Sequence, residues 1–572
     1  MENNGIKNIV SNGENIGVIG SPSSTSEITI DILGTAVDKK LVGNLCTFEY
    51  RQENRDQLAL GQIVEVQMQN IWAQDPTMRE LIRQRGRVEP VTERQDVHTA
   101  NLMVSAVFTT DNNKVIPSML GTVPATGTSI KLVDEEIMSS LFSDYNKDLF
   151  YLGRVYGNIV KMPMWFKHFG SVENKGLGEG QHIGVFGKTG SGKSVLAKMI
   201  ITAYCKHPEM SIFILDPQGE FSKEFSSETK VGKLLKNNLN RNIKILNLTN
   251  LVFDFDKDLF KDLLVASGFF KDLYIWYEDH ITRLIDKFLE LLDEYKPWDY
   301  CKKEAFDLIW NKLSEDDFLK KVIGTKDARE RVLEGWNTLN STKKDAIYKK
   351  WAGITNIFKF RGENSTKLKE VLEKTQSAGN LVIIDLSYSS NVTDLIWNEE
   401  IQYIAIKQFL SGISNYSDIK YKDNKNINSL VVIDEAHRLA PSEAQSESIE
   451  QIKSILIDAI RTTRKAGLGW MFISQTLASM DKEILMQLRT YIFGFGLGWG
   501  SELRSLQDLI GGATSAIKLY QLFKDPQSTM GKREFPFMIK GPISPLSFSD
   551  SPLFLTALDY PQEFFDVNGI KE

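Results

Sequence analysis

Short apolar or β-branched runs, separated by turn residues, recur from about Glu27 to Pro163. Examples are Ile28–Leu33, Gly61–Met68, Leu102–Phe108 and Thr128–Leu132, with breakers at Asp111-Asn112-Asn113 and Pro124. Strands of this length and spacing predict a small barrel or sandwich. Residues 1–28 are rich in Asn, Gly and Ser and show no periodic apolar face. At Gly178–Gln181 the pattern changes. His182–Phe186 is an unbroken apolar run, Lys193–Tyr204 has helical period, and Ser211–Leu215 and Ile243–Leu246 are further buried runs. This alternation predicts a parallel sheet with crossover helices. From about 255 to 375 the period is helical and the charge density high. Tyr274–Glu294, for instance, puts Ile281, Leu284, Ile285, Phe288 and Leu291 on one face, which reads as a helical insertion. Strand patterns return at Leu381–Asp385, Ser429–Ile433, Gly469–Ser474 and Tyr491–Phe495, and Glu534–Ile539 is expected as an edge strand. No fixed-period repeat is visible.

The organisation expected is α/β with five stretches. They are an N-terminal barrel domain (1–165), a first part of a parallel-sheet core (166–254), the helical insertion (255–375), a second part of the core (376–545) and a C-terminal tail (546–572). The 572 residues accommodate this division, since domains run to roughly 100–200 residues.

Composition narrows the function. There are 68 Lys+Arg against 74 Asp+Glu, a net charge of −6, which argues against a protein that coats nucleic acid non-specifically and leaves room for a local grip. Cys46, Cys205 and Cys301 are too scattered for a disulfide framework or a zinc site, and suit a reducing, cytoplasmic setting. No apolar run approaches the roughly 20 residues of a membrane span.

The candidate chemistry starts at Gly187-Lys188-Thr189-Gly190-Ser191-Gly192-Lys193-Ser194, which fits G-x-x-x-x-G-K-[ST]. Glycines let backbone N–H groups curl around phosphates, Lys193 reaches the β/γ oxygens, and the Ser194 hydroxyl holds Mg²⁺. Val195, in the first helical turn, is grouped with these ATP-binding residues. A second metal carboxylate should end a buried strand of the same sheet. Three strands end in Asp (Asp216, Asp385 and Asp434), and only Asp434 is followed by a glutamate, Glu435. Such a pair divides the work of hydrolysis: Asp434 holds Mg²⁺ while Glu435 polarises the attacking water. Gln475, following the Gly469–Ser474 strand, is a candidate to sense the γ-phosphate or to position water, against the plainer reading of a solvated strand-end amide. Arg461, Arg464 and Lys465 end an amphipathic helix (Ile452, Ile455, Leu456, Ala459, Ile460), either because cations suit a helix C-terminus or as a finger offered to a neighbouring subunit's nucleotide. DNA-contacting residues are unassigned. Lys223, Lys230, Lys233 and Arg504 follow sheet strands and are candidates, against the plainer reading of solvated surface charge.

The series GVFGKTGSGKS (184–194), LDPQGEF (215–221), LVVIDEAHRLAP (430–441), RTTRKAGLGWMFISQ (461–475) and EFPFMIKGP (534–542) resembles HerA, the hexameric DNA-translocating ATPase of the HerA/FtsK superfamily. YLGRVYGN…MPMWF (151–166), after a strand-rich region, resembles the HAS-barrel that HerA proteins carry. The resemblance implies a RecA-like core and a homohexamer around double-stranded DNA. By the matching motifs it implies Lys193 and Ser194 as Walker A, Asp434 and Glu435 as Walker B, Gln475 as sensor, and Arg464 with Lys465 as the trans-acting basic pair. The register of Arg461 against Arg464 stays open, as does the role of Glu220. It implies ATP and Mg²⁺ as cofactors and an effector docked through the barrel. That effector is a sirtuin-like NAD-consuming protein or nuclease in bacterial anti-phage defence, or else a NurA-type nuclease in DNA-end resection. A nucleotide-gated scaffold that does not translocate is the remaining alternative. Asp434-Glu435-Ala436-His437 also spells a DEAH box, but no second RecA-like half follows.

Overall fold

The computed structural model describes residues 13–571, apart from 90, 112–113, 248–249, 363–364, 375–377, 388–394, 397, 529 and 548–549. The first twelve residues of the Asn/Gly/Ser-rich start, and the breaker pair 112–113, lie outside the described residues. The N-terminal strands are β1 (Asn15–Ile19), β2 (Ile28–Ile32), β3 (Leu45–Gln52), β4 (Arg55–Gln69), β5 (Val97–Asp111), β6 (Lys114–Ser118) and β7 (Ser129–Leu132). They pair in the order β2-β1-β7-β3-β4-β5-β6, and β2 also pairs with β5, which closes six of them into a barrel. Alternate residues point inward, so Ile16, Ile28, Ile30, Phe48, Ile63, Leu102 and Ile130 fill the barrel.

The remaining strands are β8 (Phe150–Val155), β9 (Lys161–Met164), β10 (His182–Phe186), β11 (Ser211–Asp216), β12 (Asn242–Asn247), β13 (Leu251–Val252), β14 (Thr366–Lys367), β15 (Asn380–Asp385), β16 (Ser429–Ile433), β17 (Leu468–Ser474), β18 (Thr490–Gly494), β19 (Pro536–Lys540) and β20 (Leu553–Ala557). Eleven form one sheet in the order β12-β15-β11-β16-β17-β10-β18-β19-β20-β8-β9. The first seven of these run parallel; from β19 on the pairing is antiparallel.

The central parallel strands β11, β15, β16 and β17 are mostly apolar and buried, because both faces are covered. Ile183, Val185, Ile212 and Ile214 pack with the helix Lys193–Cys205 on one side. Phe186, Phe213 and Leu215 join the other side, where the core is continuous with the insertion through Phe260, Phe288, Trp310 and Trp351. The insertion is helical as expected. Its helix Glu278–Leu291 buries Ile281, Leu284, Ile285 and Phe288.

Three placements differ from the sequence reading. The run at Glu534–Ile539 is expected at an edge, but β19 lies between β18 and β20. The stretch read as a tail holds β20 and the helix Gln562–Val567, whose Phe564 and Phe565 are buried. The strands β8 and β9, grouped by sequence with the barrel, pair into the large sheet. Barrel and sheet are joined at Gln62, whose side chain donates to Phe554 O (2.9 Å) and accepts from Phe554 N (2.7 Å).

Candidate active site

Parallel register brings the sequence candidates to one edge. Phe186 aligns with Ser474, Ile433 with Phe472, Leu215 with Ile433, and Asp216 with Asp385. The loop after β10, Gln475 after β17, Asp434 after β16, Asp216 and Asp385 therefore share the carboxyl end of the sheet, where open α/β sheets bind ligands.

Gly187–Gly192 leave β10 and open the helix that starts at Lys193. Gly190 and Gly192 have φ of +82° and +88°, the left-handed region in which a side chain is strained. A Cβ on Gly192 would also lie 2.6 Å from the Phe535 ring. The loop is pinned by Gly187 N to Ser474 O (3.3 Å) and Lys188 N to Phe495 O (3.0 Å). Lys193 is buried and donates from Nζ to Lys188 O at 3.0 Å. Burial lowers its pKa, and the Glu435, Asp434 and Glu220 carboxylates oppose that shift. Val195 lines a cavity of about 530 Å³ together with Tyr156, Glu534 and Phe535.

The three strand-end aspartates have different partners. Asp216 accepts from the N–H groups of Glu220 (3.1 Å) and Ser222 (2.8 Å), anchoring the short helix Glu220–Glu224. Asp385 accepts from Ser222 Oγ (3.0 Å) and Ser387 N (2.9 Å). Asp434 accepts only its neighbour's N–H, from Glu435, among the hydrogen bonds of the described residues (2.9 Å). Burial pushes the Asp434 carboxyl up to about 7, with Glu435, Asp216 and Glu220 adding to the rise. Such a crowd of carboxylates favours a cation, and Asp434 with the Ser194 hydroxyl supplies hard oxygen donors of the kind Mg²⁺ takes. No cluster of three or more His, Cys, Asp or Glu among the described residues forms an all-protein metal cage.

Glu435 has φ +51°, in the left-handed region, a strained conformation for a glutamate that recurs at functional sites. Its Oε1 accepts from Gln475 Nε2 (2.6 Å) and from Gln218 Nε2 (3.0 Å). Thr189 Oγ1 in turn donates to Gln475 Oε1 (2.8 Å). Glu435 Oε2 is buried without a hydrogen bond, 3.4 Å from His437 Nδ1. A chain of contacts thus runs from the phosphate loop through Gln475 to Glu435. Gln218 has no distinguishing signal of its own in the sequence, although it lies in the LDPQGEF motif. Glu220 pairs with Lys198 Nζ (3.0 Å), a buried lysine of the helix that follows the phosphate loop.

The basic candidates do not join this cluster. Arg464 lies between the helix Glu447–Thr463 and the start of β17, on the opposite edge of the sheet. Its Nη1 lies 2.6 Å from Glu179, a carboxylate it shares with Arg489 Nη1 (3.1 Å). Arg461 pairs with Glu483 (2.5 Å), and Lys465 is exposed. Neither Glu179 nor Arg489 carries a signal in the sequence. Lys223, Lys230, Lys233 and Arg504 are exposed, and Lys230 reaches Gln562 Oε1 (3.1 Å).

Residues 180–411 match the family described as Helicase HerA, central domain. Among solved structures, VirB4 of Thermoanaerobacter pseudethanolicus is similar at 16% identity, covering 72% of this chain and 97% of that one, with a TM-score of 0.38. The genome packaging NTPase B204 of Sulfolobus turreted icosahedral virus 2, in complex with AMPPCP, is similar at 11% identity over 66% of this chain and 98% of that one (TM-score 0.28). The pCW3 conjugation coupling protein TcpA is similar at 12% identity over 96% and 93% (TM-score 0.26). No curated protein matches the chain. With the phosphate loop inside the matched stretch and the strand-end carboxylates ranged beside it, the chain is a P-loop ATPase whose residues 180–411 are similar to the HerA central domain.

Proposed function

We propose that this protein is an ATP-driven motor that moves on double-stranded DNA as a homohexameric ring. The observation that carries the reading is the separation of Arg464 from the nucleotide loop. It stands on the opposite edge of the sheet from Lys193 and Glu435, and in this reading it serves the nucleotide of a neighbouring copy. The match to the HerA central domain supports the choice of DNA as the track.

In this reading Gly187–Gly192 cradle the phosphates, Lys193 leaves the Lys188 carbonyl for the β/γ oxygens, and the cavity beside Val195 and Phe535 receives ribose and base. Ser194 and Asp434 would hold Mg²⁺, which neutralises phosphate charge when bound. Glu435 orients and polarises the attacking water, Gln475 senses the γ-phosphate, and Arg464 of a neighbouring copy stabilises the transferring group. In this reading DNA contacts are few and local, in keeping with the net charge of −6. An effector, a nuclease or NAD-consuming protein, docks on the barrel and places the assembly in bacterial anti-phage defence. Support for a barrel partner comes from its exposed Met68, Ile71, Trp72 and Met119 and from the helix Pro76–Arg85, none of whose residues is buried.

The test measures ATP turnover with and without duplex DNA, alongside the mass of the particle in solution. A hexamer whose turnover rises with DNA is expected. A monomer that hydrolyses ATP at full rate, or a ring indifferent to DNA, overturns the reading.

A further inference from the structure

One segment of the barrel, residues 40–44 ahead of β3, lies against the cavity beside the phosphate loop. Buried Asn44 fixes its shape by donating from Nδ2 to Lys40 O (2.7 Å) and Leu41 O (3.2 Å), and Gly43 N donates to Ile63 O (2.7 Å). The segment is seated on the turn after β8. Gly43 has φ +87°, and a Cβ there would lie 2.5 Å from the Tyr156 ring; a Cβ on Gly157 would lie 2.8 Å from Val42 O. This close backbone approach, open to glycine alone, sets the Lys40 side chain on the wall of the cavity of about 530 Å³ that Tyr156, Val195 and Phe535 also line. Lys40 is the one lining residue that the barrel supplies. Cations nearby are already paired: Arg154 with Glu563, Lys532 with Asp559 (3.1 Å), and Lys39 with Glu14 beside β1. The Lys40 ammonium has no ion pair or hydrogen bond among the described residues.

We propose that the barrel contributes Lys40 to the ATP site, where its ammonium donates to the ribose or base while Gly187–Gly192 hold the phosphates. The inference rests on the reading above that places the nucleoside in this cavity. Val195 directly follows Ser194, so a nucleotide with its phosphates on the loop turns its nucleoside end into the space that Lys40 borders. A lysine ammonium offers three N–H donors and no acceptor. Ribose hydroxyls and base ring nitrogens are the acceptors it meets there. Such a contact is the same for ATP and ADP and does not change as the γ-phosphate is attacked. It therefore supplies uniform binding, felt in KM and not in kcat.

The experiment measures kcat, KM and the dissociation constants of ATP and ADP for the full-length protein and for Lys40→Ala, Lys40→Arg and Lys39→Ala. Inorganic tripolyphosphate serves as a competitor that lacks the nucleoside. Lys40→Ala is expected to raise KM and both dissociation constants about three- to tenfold, the worth of one hydrogen bond from a charged group, with kcat unchanged. Lys40→Arg is expected to keep most of the affinity, and Lys39→Ala to match the parent. Tripolyphosphate is expected to inhibit the parent and Lys40→Ala equally. Unchanged ATP and ADP affinities in Lys40→Ala overturn the proposal while the nucleoside cavity stands. An equal weakening of tripolyphosphate also overturns it, since the lysine would then act as a diffuse charge rather than a contact. If tripolyphosphate binds the parent as tightly as ADP, the nucleoside gains nothing from the cavity, and the reading that places it there falls together with the role of Lys40.

Discussion

His182 opens the strand that leads to the phosphate loop, and its ring ties three elements together. Nε2 is 3.1 Å from Ile460 O at the end of the helix leading to Arg464, and Nδ1 accepts from Trp470 N (3.3 Å) on β17. This arrangement needs the neutral ring with its proton on Nε2. Burial pushes the pKa down to about 4; the bond to Ile460 opposes the drop and the Arg464 charge adds to it. An unfolded histidine titrates near 6.5, so below that value the unfolded chain takes up a proton that the folded one refuses. The stability tied to His182 is therefore fully present above about pH 6.5 and is lost as pH falls towards about 4. At about pH 5 the difference amounts to roughly 2 kcal/mol, from about 1.4 kcal/mol per pH unit over some 1.5 units. Unfolding entropy of about 2.1 cal/mol/K per residue, summed over the chain, turns this into a melting shift of about 2 °C. His182→Gln keeps an N–H for Ile460 and cannot titrate. Melting curves of parent and variant, each at about pH 7.5 and about pH 5, isolate the term, because the raised Asp434 carboxyl is common to both and cancels. The parent is expected to lose about 2 °C more than the variant. Equal losses would refute a neutral buried ring.

At the nucleotide, Lys193→Ala is expected to abolish ATP binding, whereas Glu435→Gln retains binding and loses turnover by about 10²- to 10⁴-fold; equilibrium binding and phosphate release separate the two. Arg464→Ala is expected to lower turnover by about 10³-fold or more if it acts across subunits, while Arg461→Ala, paired on its own surface with Glu483, stays near the parent rate. Mixing Arg464→Ala with Lys193→Ala subunits should restore some turnover, and no recovery in the mixture counts against a trans role. Arg241 is fully buried and donates to the carbonyls of Tyr204, Cys205, His207 and Met210, at and beyond the end of the helix from Lys193. Arg241→Met strands these groups and should cost about 3–5 kcal/mol, read as a lower denaturant midpoint. A change below about 1 kcal/mol would mean that the carbonyls find other donors.

Much of this protein is legible in its local chemistry. The barrel strands, the parallel strands and the phosphate loop are recognisable because each depends on neighbours in the chain: an apolar run long enough to cross a sheet, glycines where φ must be positive, a lysine and a hydroxyl at fixed spacing. Asp434 could be preferred over Asp216 and Asp385 only through the adjacent Glu435. In the fold, Asp216 and Asp385 are both engaged in holding the Glu220–Glu224 helix, whereas Asp434 accepts from the Glu435 N–H.

What the chain could not announce depends on which strands lie side by side. The five-residue run at Leu553–Ala557 is too short to stand out, and it becomes a strand by pairing with β19 and with β8, which lies far earlier in the chain. Gln218 is an ordinary polar residue in a turn until the register of β11 and β16 sets its amide against Glu435. Arg464, Arg489 and Glu179 meet for the same reason, at the starts of neighbouring strands. Sequence alone determined the class of chemistry, because a phosphate loop is built from consecutive residues. Tertiary structure alone decided how Glu435 is held and which edge faces away from the nucleotide, because those contacts join loops that only sheet pairing brings together.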